Sequence, residues 1–284
     1  MKILILGGSG MAGHTIALYF KEAGHDVTAF SRSKVNYCKN INGDVTDFKN
    51  LDKIILEGQY DAIINAIGIL NKDAEENKLT AILLNSYLPH FLSDTTKNMK
   101  TKIIHMSTDC VFSGKLGGYT ETSLRDGETF YDRTKALGEL ENNKDLTFRN
   151  SIIGPDINEN GIGLFNWFMK QKSEINGFTK AIWTGVTTLT LAKAMEYAIK
   201  ENITGLYNLV NNETISKFEL LKLFNKMMKD DKIEILPSDK ISINKALINN
   251  RKDFSFIVPS YETMVLEMKE WIYNHKDIYP HYFK

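Results

Sequence analysis

Tyr131 and Lys135 stand four residues apart in the run Tyr131-Asp132-Arg133-Thr134-Lys135. On a helix the two share a face, so a Lys135 ammonium beside the Tyr131 phenol would stabilise its ionised form. A phenol titrates near pH ~10 when unperturbed. Moved toward the operating pH by a neighbouring cation, it can give its proton to a developing alkoxide. The spacing alone is common on surface helices, and its weight comes from the turn Gly7-Gly8-Ser9-Gly10-Met11-Ala12-Gly13 upstream. That turn follows an apolar run and opens a helical period, the context in which glycine spacing points to a dinucleotide. Gly7 allows the tight turn, Gly10 lets the backbone approach the phosphates, and Gly13 lets helix pack on strand, with Met11 among the expected contacts. The combination points to redox chemistry at a carbonyl.

Further candidates follow the same logic. After the second strand the chain reads Phe30-Ser31-Arg32-Ser33, where an NAD enzyme would offer a carboxylate to the ribose. Ser31 and Arg32 therefore favour NADPH over NADH, Arg32 pairing with the 2′-phosphate; NADH stays open. Asp44 and Val45 lie where a loop could touch adenine, and Asn65, Ala66 and Gly68 end a strand beside the cofactor. His105-Met106-Ser107-Thr108-Asp109 ends another strand, so the Thr108 hydroxyl could meet the substrate oxygen beside Tyr131, with Asp109 next to it. For the rest of the substrate, Arg149, Trp183 and Arg251 are candidates. Each has a plain alternative: an internal ion pair for Arg149, the core for Trp183, and solvent for Arg251.

Strands alternating with helices must position these residues. Apolar runs at 2–6, 26–30, 61–65 and 102–106 read as strands, with helices over 11–23, 48–57 and 79–98 between them. This predicts an α/β fold, a Rossmann-type doubly wound parallel sheet that binds ligands at the carboxyl ends of its strands. Beyond a helix near Tyr131 and a strand at 146–148 the pattern loosens. Helices are expected over 164–172, 189–200, 217–229 and 261–274, and strands at 206–210 and 233–236. The dinucleotide-binding domain is expected to span 1–150, the chain returning to it near 178–210. A smaller α/β substrate-binding domain would take 151–177 and 211–284.

Composition excludes several function classes. The 284 residues carry 35 Lys plus Arg against 35 Asp plus Glu, so no global field favours nucleic acid or an anionic membrane. A hydrophobic content of 43% supports a substantial core. No apolar run approaches the ~20 residues of a membrane span, and the first strand begins at Lys2, so a cytoplasmic protein is expected. Cys38 and Cys110 are far apart, and the six His residues lack ligand spacing, so no metal site is predicted.

Through Gly7/Gly10/Gly13, Asn65-Ala66, Ser107-Thr108-Asp109 and Tyr131/Lys135, the chain resembles the extended short-chain dehydrogenase/reductase family. Within it, the stretches Ser107-Thr108-Asp109-Cys110-Val111-Phe112-Ser113-Gly114 and Tyr131-Asp132-Arg133-Thr134-Lys135-Ala136-Leu137-Gly138-Glu139 look most like the dTDP-4-dehydrorhamnose reductases and related nucleotide-sugar reductases. The resemblance implies a catalytic set of Thr108, Tyr131 and Lys135: Tyr131 gives the proton, Lys135 holds the nicotinamide ribose and tunes the phenol, and Thr108 orients the carbonyl. Asn85, in Leu84-Asn85-Ser86, matches a position that supports the active site. The implied activity is NADPH-dependent reduction of a 4-keto nucleotide-activated deoxysugar to the 4-hydroxy sugar, for surface polysaccharide precursors. Two alternatives stay open: a nucleotide-sugar 4-epimerase with tightly held NAD, and a silent NADP-binding regulatory subunit. Cys110 stands where the family's dehydratases carry glutamate, which argues against dehydration. Thr15 stands where some members place a glutamate for a magnesium-bridged dimer, so that metal is not expected, while a homodimer remains compatible with the chain.

Overall fold

A computed structural model describes residues 1–284. Its first half runs β1 (Lys2–Leu6), α1 (Met11–Glu22), β2 (Asp26–Ser31), β3 (Lys39–Asn42), α2 (Phe48–Gly58), β4 (Ala62–Asn65), α3 (Asn71–Glu76) and α4 (Lys78–Ala81). A π-helical turn (Ile82–Tyr87), α5 (Leu88–Thr95), β5 (Lys102–Ser107), α6 (Phe130–Leu137) and β6 (Leu146–Arg149) follow. The second half holds β7 (Ile152–Ile153), α7 (Leu164–Met169), β8 (Ile175–Trp183), β9 (Val186–Thr187), α8 (Thr188–Lys200), β10 (Gly205–Asn208), β11 (Ile215–Ser216), α9 (Lys217–Met228), β12 (Ile235–Asn244) and α10 (Tyr261–Asn274).

Seven strands form one sheet in the order β10-β6-β5-β4-β1-β2-β3, and every pairing in it is parallel. The chain moves outward from β1 in one direction, then restarts on its other side at β4, leaving a crevice at the carboxyl ends of β1 and β4. Alternation along β1 sends Ile3 and Ile5 into one apolar core and Leu4 and Leu6 into another on the opposite face. The larger core continues without a break through Phe165, Phe168, Trp183, Phe224, Met268 and Trp271, beneath a second sheet ordered β11-β8-β12. No helix is long and apolar enough to cross a membrane.

Departures from the expected elements have local causes. β3 reads Lys39-Asn40-Ile41-Asn42, a polar edge strand that carries no apolar alternation. β8 contains Asn176-Gly177, a turn signal overridden by parallel pairing with Leu236 and Pro237 of β12. It begins at Ile175, ahead of the expected return to the large sheet at 178, and it is β10 that rejoins that sheet. β12 extends to Asn244 through parallel pairing with β8 that resumes at Ser242–Asn244, while its middle residues are exposed, so hydrophobicity reports only its first few positions. The helix expected over 79–98 widens into the π turn and stops at Thr95, and the one expected over 164–172 stops at Met169.

Candidate active site

The glycine turn is built by sterics. Gly7 has φ +85°, a left-handed conformation disfavoured for side-chain-bearing residues, and a Cβ on Gly13 would lie 2.1 Å from the Gly7 carbonyl oxygen. Gly10 differs: a Cβ there would have only the Gly7 oxygen, at 3.4 Å, as a near neighbour. Gly10 is also the N-cap of α1 and offers no side-chain cap, leaving the amides at the helix start open to an anion. Gly10, Met11 and Ala12 form one wall of a cleft of about 630 Å³. A dinucleotide pyrophosphate fits this turn on both counts.

Across that cleft stand Ala66, Gly68, Met106, Ser107, Thr108, Asp109, Tyr131 and Lys135. α6 starts sharply because Thr129 and Asp132 cap it reciprocally, each side chain taking the other's backbone N–H. This sets Tyr131 and Lys135 on its buried face. Thr108 caps the short turn Asp109–Val111; its hydroxyl accepts from the Cys110 N–H at 3.1 Å and donates to Asp109 Oδ1 at 3.1 Å. Thr108, Tyr131 and Lys135 are thus brought together at the carboxyl end of β5.

The electrostatics differ from the simple tuning pair. Lys135 Nζ donates to the Met106 carbonyl at 2.6 Å and lies 3.4 Å from His105 Nε2, with no hydrogen bond to the phenol. Burial pushes the Tyr131 phenol above its ordinary value, with Cys110 adding to the rise and the adjacent Thr108 hydroxyl opposing it. The expected contact between the Lys135 ammonium and the Tyr131 phenol is not made, because the ammonium is taken up by the Met106 carbonyl. Lys135 itself is pushed down to about 8 by burial, Glu139 pulling the other way. His105, fully buried and facing Lys135, is held well below the usual imidazole range. Asp109 is raised by burial against the pull of Lys245 and Lys217.

Other candidates shape the cleft from behind. Asn65 is fully buried, its side chain 3.2 Å from His105 Nδ1 and accepting the Ile67 N–H at 3.1 Å. Asn85 sits in the π turn and fastens the loop after β4 to α6: it bonds both the N–H and the carbonyl of Ile69 at 3.0 Å and donates to Thr134 Oγ1 at 3.2 Å. A π turn rather than an α turn is common where a helix carries such a site.

At the carboxyl ends of β2 and β3, the Ser31 hydroxyl donates to the Ser33 carbonyl at 2.6 Å. Asp44 caps its own turn through Thr46, and Val45 is core. Arg32 is exposed beyond this turn, its guanidinium in no ion pair. None of these four lines the catalytic cleft.

The three residues expected to hold the substrate are placed elsewhere. Arg149 has 0% exposure and makes a double hydrogen bond to Glu139, Nε to Oε1 at 2.8 Å and Nη2 to Oε2 at 2.6 Å, so it is the internal ion pair. Trp183 is buried core. Arg251 donates to the Thr204 and Leu206 carbonyls and pairs with Asp253, at the amino end of β10 and hence the far end of the sheet from the cleft. Sequence reasoning missed Asn150, whose two buried amide atoms have no partner beside the cleft, and the 156–163 loop that supplies Asp156, Asn158, Asn160 and Gly161 to its wall. The pair of Asn and Gly residues in that loop was its one signal.

Comparison with known proteins gives this geometry a lineage. Residues 1–265 match the family model described as the RmlD substrate binding domain. A spore coat polysaccharide biosynthesis protein, SpsK, of Bacillus subtilis is 24% identical over 224 residues, 77% of this chain and 76% of that one. The dTDP-4-dehydrorhamnose reductase of Burkholderia thailandensis is 27% identical over 217 residues, 73% of this chain and 70% of that one. Among solved structures, the Bacillus anthracis dTDP-4-dehydrorhamnose reductase in complex with NADP superposes with a TM-score of 0.79 at 20% identity, covering 94% of this chain and 99% of that one. The Rossmann-type fold is common to both, and by the family match over nearly its whole length the chain belongs to the RmlD substrate binding domain family.

Proposed function

We propose that the protein reduces a 4-keto nucleotide-activated deoxysugar to the 4-hydroxy sugar with NADPH, as a step in making surface polysaccharide precursors. The observation that carries this reading is the meeting of Thr108, Tyr131 and Lys135 in one cleft with the uncapped start of α1. The names of the relatives support the substrate class: two are dTDP-4-dehydrorhamnose reductases, and one serves spore coat polysaccharide synthesis.

NADPH, when bound, supplies the hydride. Gly10, Met11 and Ala12 would receive its pyrophosphate, Arg32 its 2′-phosphate, and Lys135 its nicotinamide ribose. Tyr131, kept protonated by burial, holds its proton at Oη until negative charge grows on the carbonyl oxygen. Thr108, pinned between Asp109 and the Cys110 N–H, fixes a polar atom beside that phenol and orients the carbonyl. The wall of Met106, Ile67 and Ile152 limits water at the reacting carbon.

The test is NADPH oxidation by the purified protein across a panel of dTDP- and UDP-linked 4-keto-6-deoxy sugars, with Tyr131→Phe as control. Loss of general-acid help is worth about a hundredfold or more in rate. Turnover on a panel member that falls by this much in Tyr131→Phe, with cofactor binding retained, supports the reading. Near-normal turnover in Tyr131→Phe removes Tyr131 as proton donor.

A further inference from the structure

His14 and Thr15 are fully buried polar residues of α1, set among Ala12, Ile16, Ala17, Leu18 and Phe20 of the larger core. Neither lines the cleft, and the chemistry described above uses neither. An apolar pair would fill that space without the cost of desolvating an imidazole and a hydroxyl. What the imidazole makes instead is one bond at each ring nitrogen: Nδ1 lies 3.0 Å from the Gly10 carbonyl oxygen, and Nε2 lies 2.8 Å from the Tyr279 hydroxyl.

The direction of these bonds follows from the groups that have no choice. A carbonyl only accepts, so Nδ1 carries the proton and donates to Gly10, and the Tyr279 hydroxyl donates to the bare Nε2. The Trp271 indole N–H only donates, and it reaches the Tyr279 oxygen at 3.1 Å. Thr188 donates to Thr15 at 3.2 Å, and the Thr15 hydroxyl sits 3.4 Å from the same Nε2, so every side-chain polar atom of the group has a partner. Burial pushes the imidazole down to about 4, with the Gly10 and Met11 backbone pulling the other way, which keeps it neutral. The bonds thus run one way, from Trp271 of α10 through Tyr279 and His14 to Gly10.

At Gly10 that direction acquires a use. Its carbonyl and the Met11 N–H belong to one planar trans peptide and point opposite ways, so fixing the carbonyl aims the amide. The Met11 N–H is the first amide of α1, lacks an intrahelical acceptor, and belongs to a residue on the cleft wall. Gly10 does little to hold this peptide itself: it has no side chain, and only the Gly7 oxygen would lie near a Cβ. The helical bond from the His14 N–H reaches the Gly10 carbonyl at 3.0 Å, in the first turn where helices fray, and the imidazole doubles it.

We infer that His14 is a positioning residue for the cofactor pyrophosphate: held by Tyr279 and Trp271, it pins the Gly10–Met11 peptide so that the Met11 N–H meets a phosphate oxygen. This deepens the reductase reading and rests on it for the identity of the ligand. It also gives the C-terminal turn Pro280–Phe283 a part in cofactor binding, since Tyr279 caps that turn and acts across 265 positions of sequence.

Asparagine and glutamine divide the imidazole between them. His14→Asn places an amide nitrogen near the Nδ1 position and keeps the donor to Gly10, whereas His14→Gln reaches the Nε2 position and keeps an acceptor for Tyr279. Each leaves one buried partner unbonded, so both should lower the melting temperature. Calorimetry on the full chain then compares NADP with adenosine 2′-monophosphate, which lacks the pyrophosphate. NADP should bind about fivefold or more weakly in His14→Gln and within about twofold of the unaltered protein in His14→Asn. Adenosine 2′-monophosphate should bind all three alike. Equal NADP losses in the two variants, no loss in either, or a matching loss of adenosine 2′-monophosphate overturns the role. A second measurement needs no variant: nitrogen-15 NMR of the His14 ring at pH 7 should show Nδ1 protonated and Nε2 bare, and the opposite tautomer overturns the assignment. NADP affinities that separate the two variants, in a protein that turns over no sugar of the panel, support the positioning role while sinking the reductase reading. Turnover with equal NADP losses does the reverse, and an unaltered protein that binds no NADP sinks both.

Discussion

Replacing Glu139 with glutamine removes the one carboxylate on which two guanidinium groups converge. Arg149 binds it at 2.8 and 2.6 Å, Ser107 donates to it at 2.6 Å, and Arg125 reaches it from the half-exposed side. Burial alone would raise the Glu139 carboxyl, but the Arg149 bonds, Ser107 and Arg125 hold it below its ordinary value, so it is ionised. With glutamine in its place, Arg149 keeps a weak bond to Asn208 at 3.3 Å and its packing on the Phe112 ring, but has no counter-charge. Stranding a buried charge costs about 3–5 kcal/mol. For a chain of 284 residues the unfolding entropy near the midpoint is about 0.6 kcal/mol/K, so the melting temperature should fall by about 5–8 °C. Arg149→Met should cost less, because Glu139 keeps Arg125 and Ser107 and the methionine retains part of the packing on Phe112. Urea unfolding followed by tryptophan fluorescence reads both. A Glu139→Gln cost below about 1 kcal/mol would refute the argument that Arg149 is held as half of an ion pair. A raised substrate KM in folded Arg149→Met would return Arg149 to the substrate.

Three other perturbations test the cleft. Because burial sets Lys135 to about 8, the ammonium is mostly charged at pH 7 and mostly neutral by pH 9; turnover should fall as pH rises through about 8, and Lys135→Arg should abolish that limb. The same limb in Lys135→Arg would assign it to another group. Gly13→Ala places a methyl 2.1 Å from the Gly7 oxygen and should lower the melting temperature by several degrees. Gly10→Ala meets only that oxygen, at 3.4 Å, and should fold normally while weakening NADPH; calorimetry and a thermal melt on each separate the two glycines. Arg32→Ala should weaken NADPH about tenfold while leaving NADH nearly unaffected, and equal losses would remove the 2′-phosphate contact.

The cleft was legible where chemistry and spacing coincide. Tyr131 and Lys135 declare their shared face by their interval, and Gly7, Gly10 and Gly13 declare the turn because no other residue fits two of those positions. The strands of the large sheet were equally plain, since residues buried on both faces leave unbroken apolar runs. What stayed hidden depends on partners distant in sequence. Arg149 at the end of β6 reads alike whether it meets a phosphate or Glu139, and only the fold, which brings the residue just past the end of α6 to the end of β6, decides between them. Trp183 and Lys217 are 34 positions apart, and the ammonium comes to lie 4.7 Å from the centre of the indole only once β8 and α9 pack together. Lys135 offers the sharpest case: its interval places it on the buried side of α6 with Tyr131, but its ammonium turns to the Met106 carbonyl, a backbone atom that no side-chain pattern encodes.

The larger apolar core runs as one connected cluster from Ile3 and Ile5 under the parallel sheet to Phe224, Met268 and Trp271 under the smaller one, and the buried polar groups inside it, His14, Thr15, Thr188 and Tyr279, are hydrogen-bonded to one another. A molecule with such a spine has no cheap place to part. Melting either half strips the other of its apolar cover, so the chain should come undone as one cooperative unit rather than lobe by lobe. The freedom needed to admit and release ligands is then left to surface segments such as 156–163, which border the cleft and bear little of that spine.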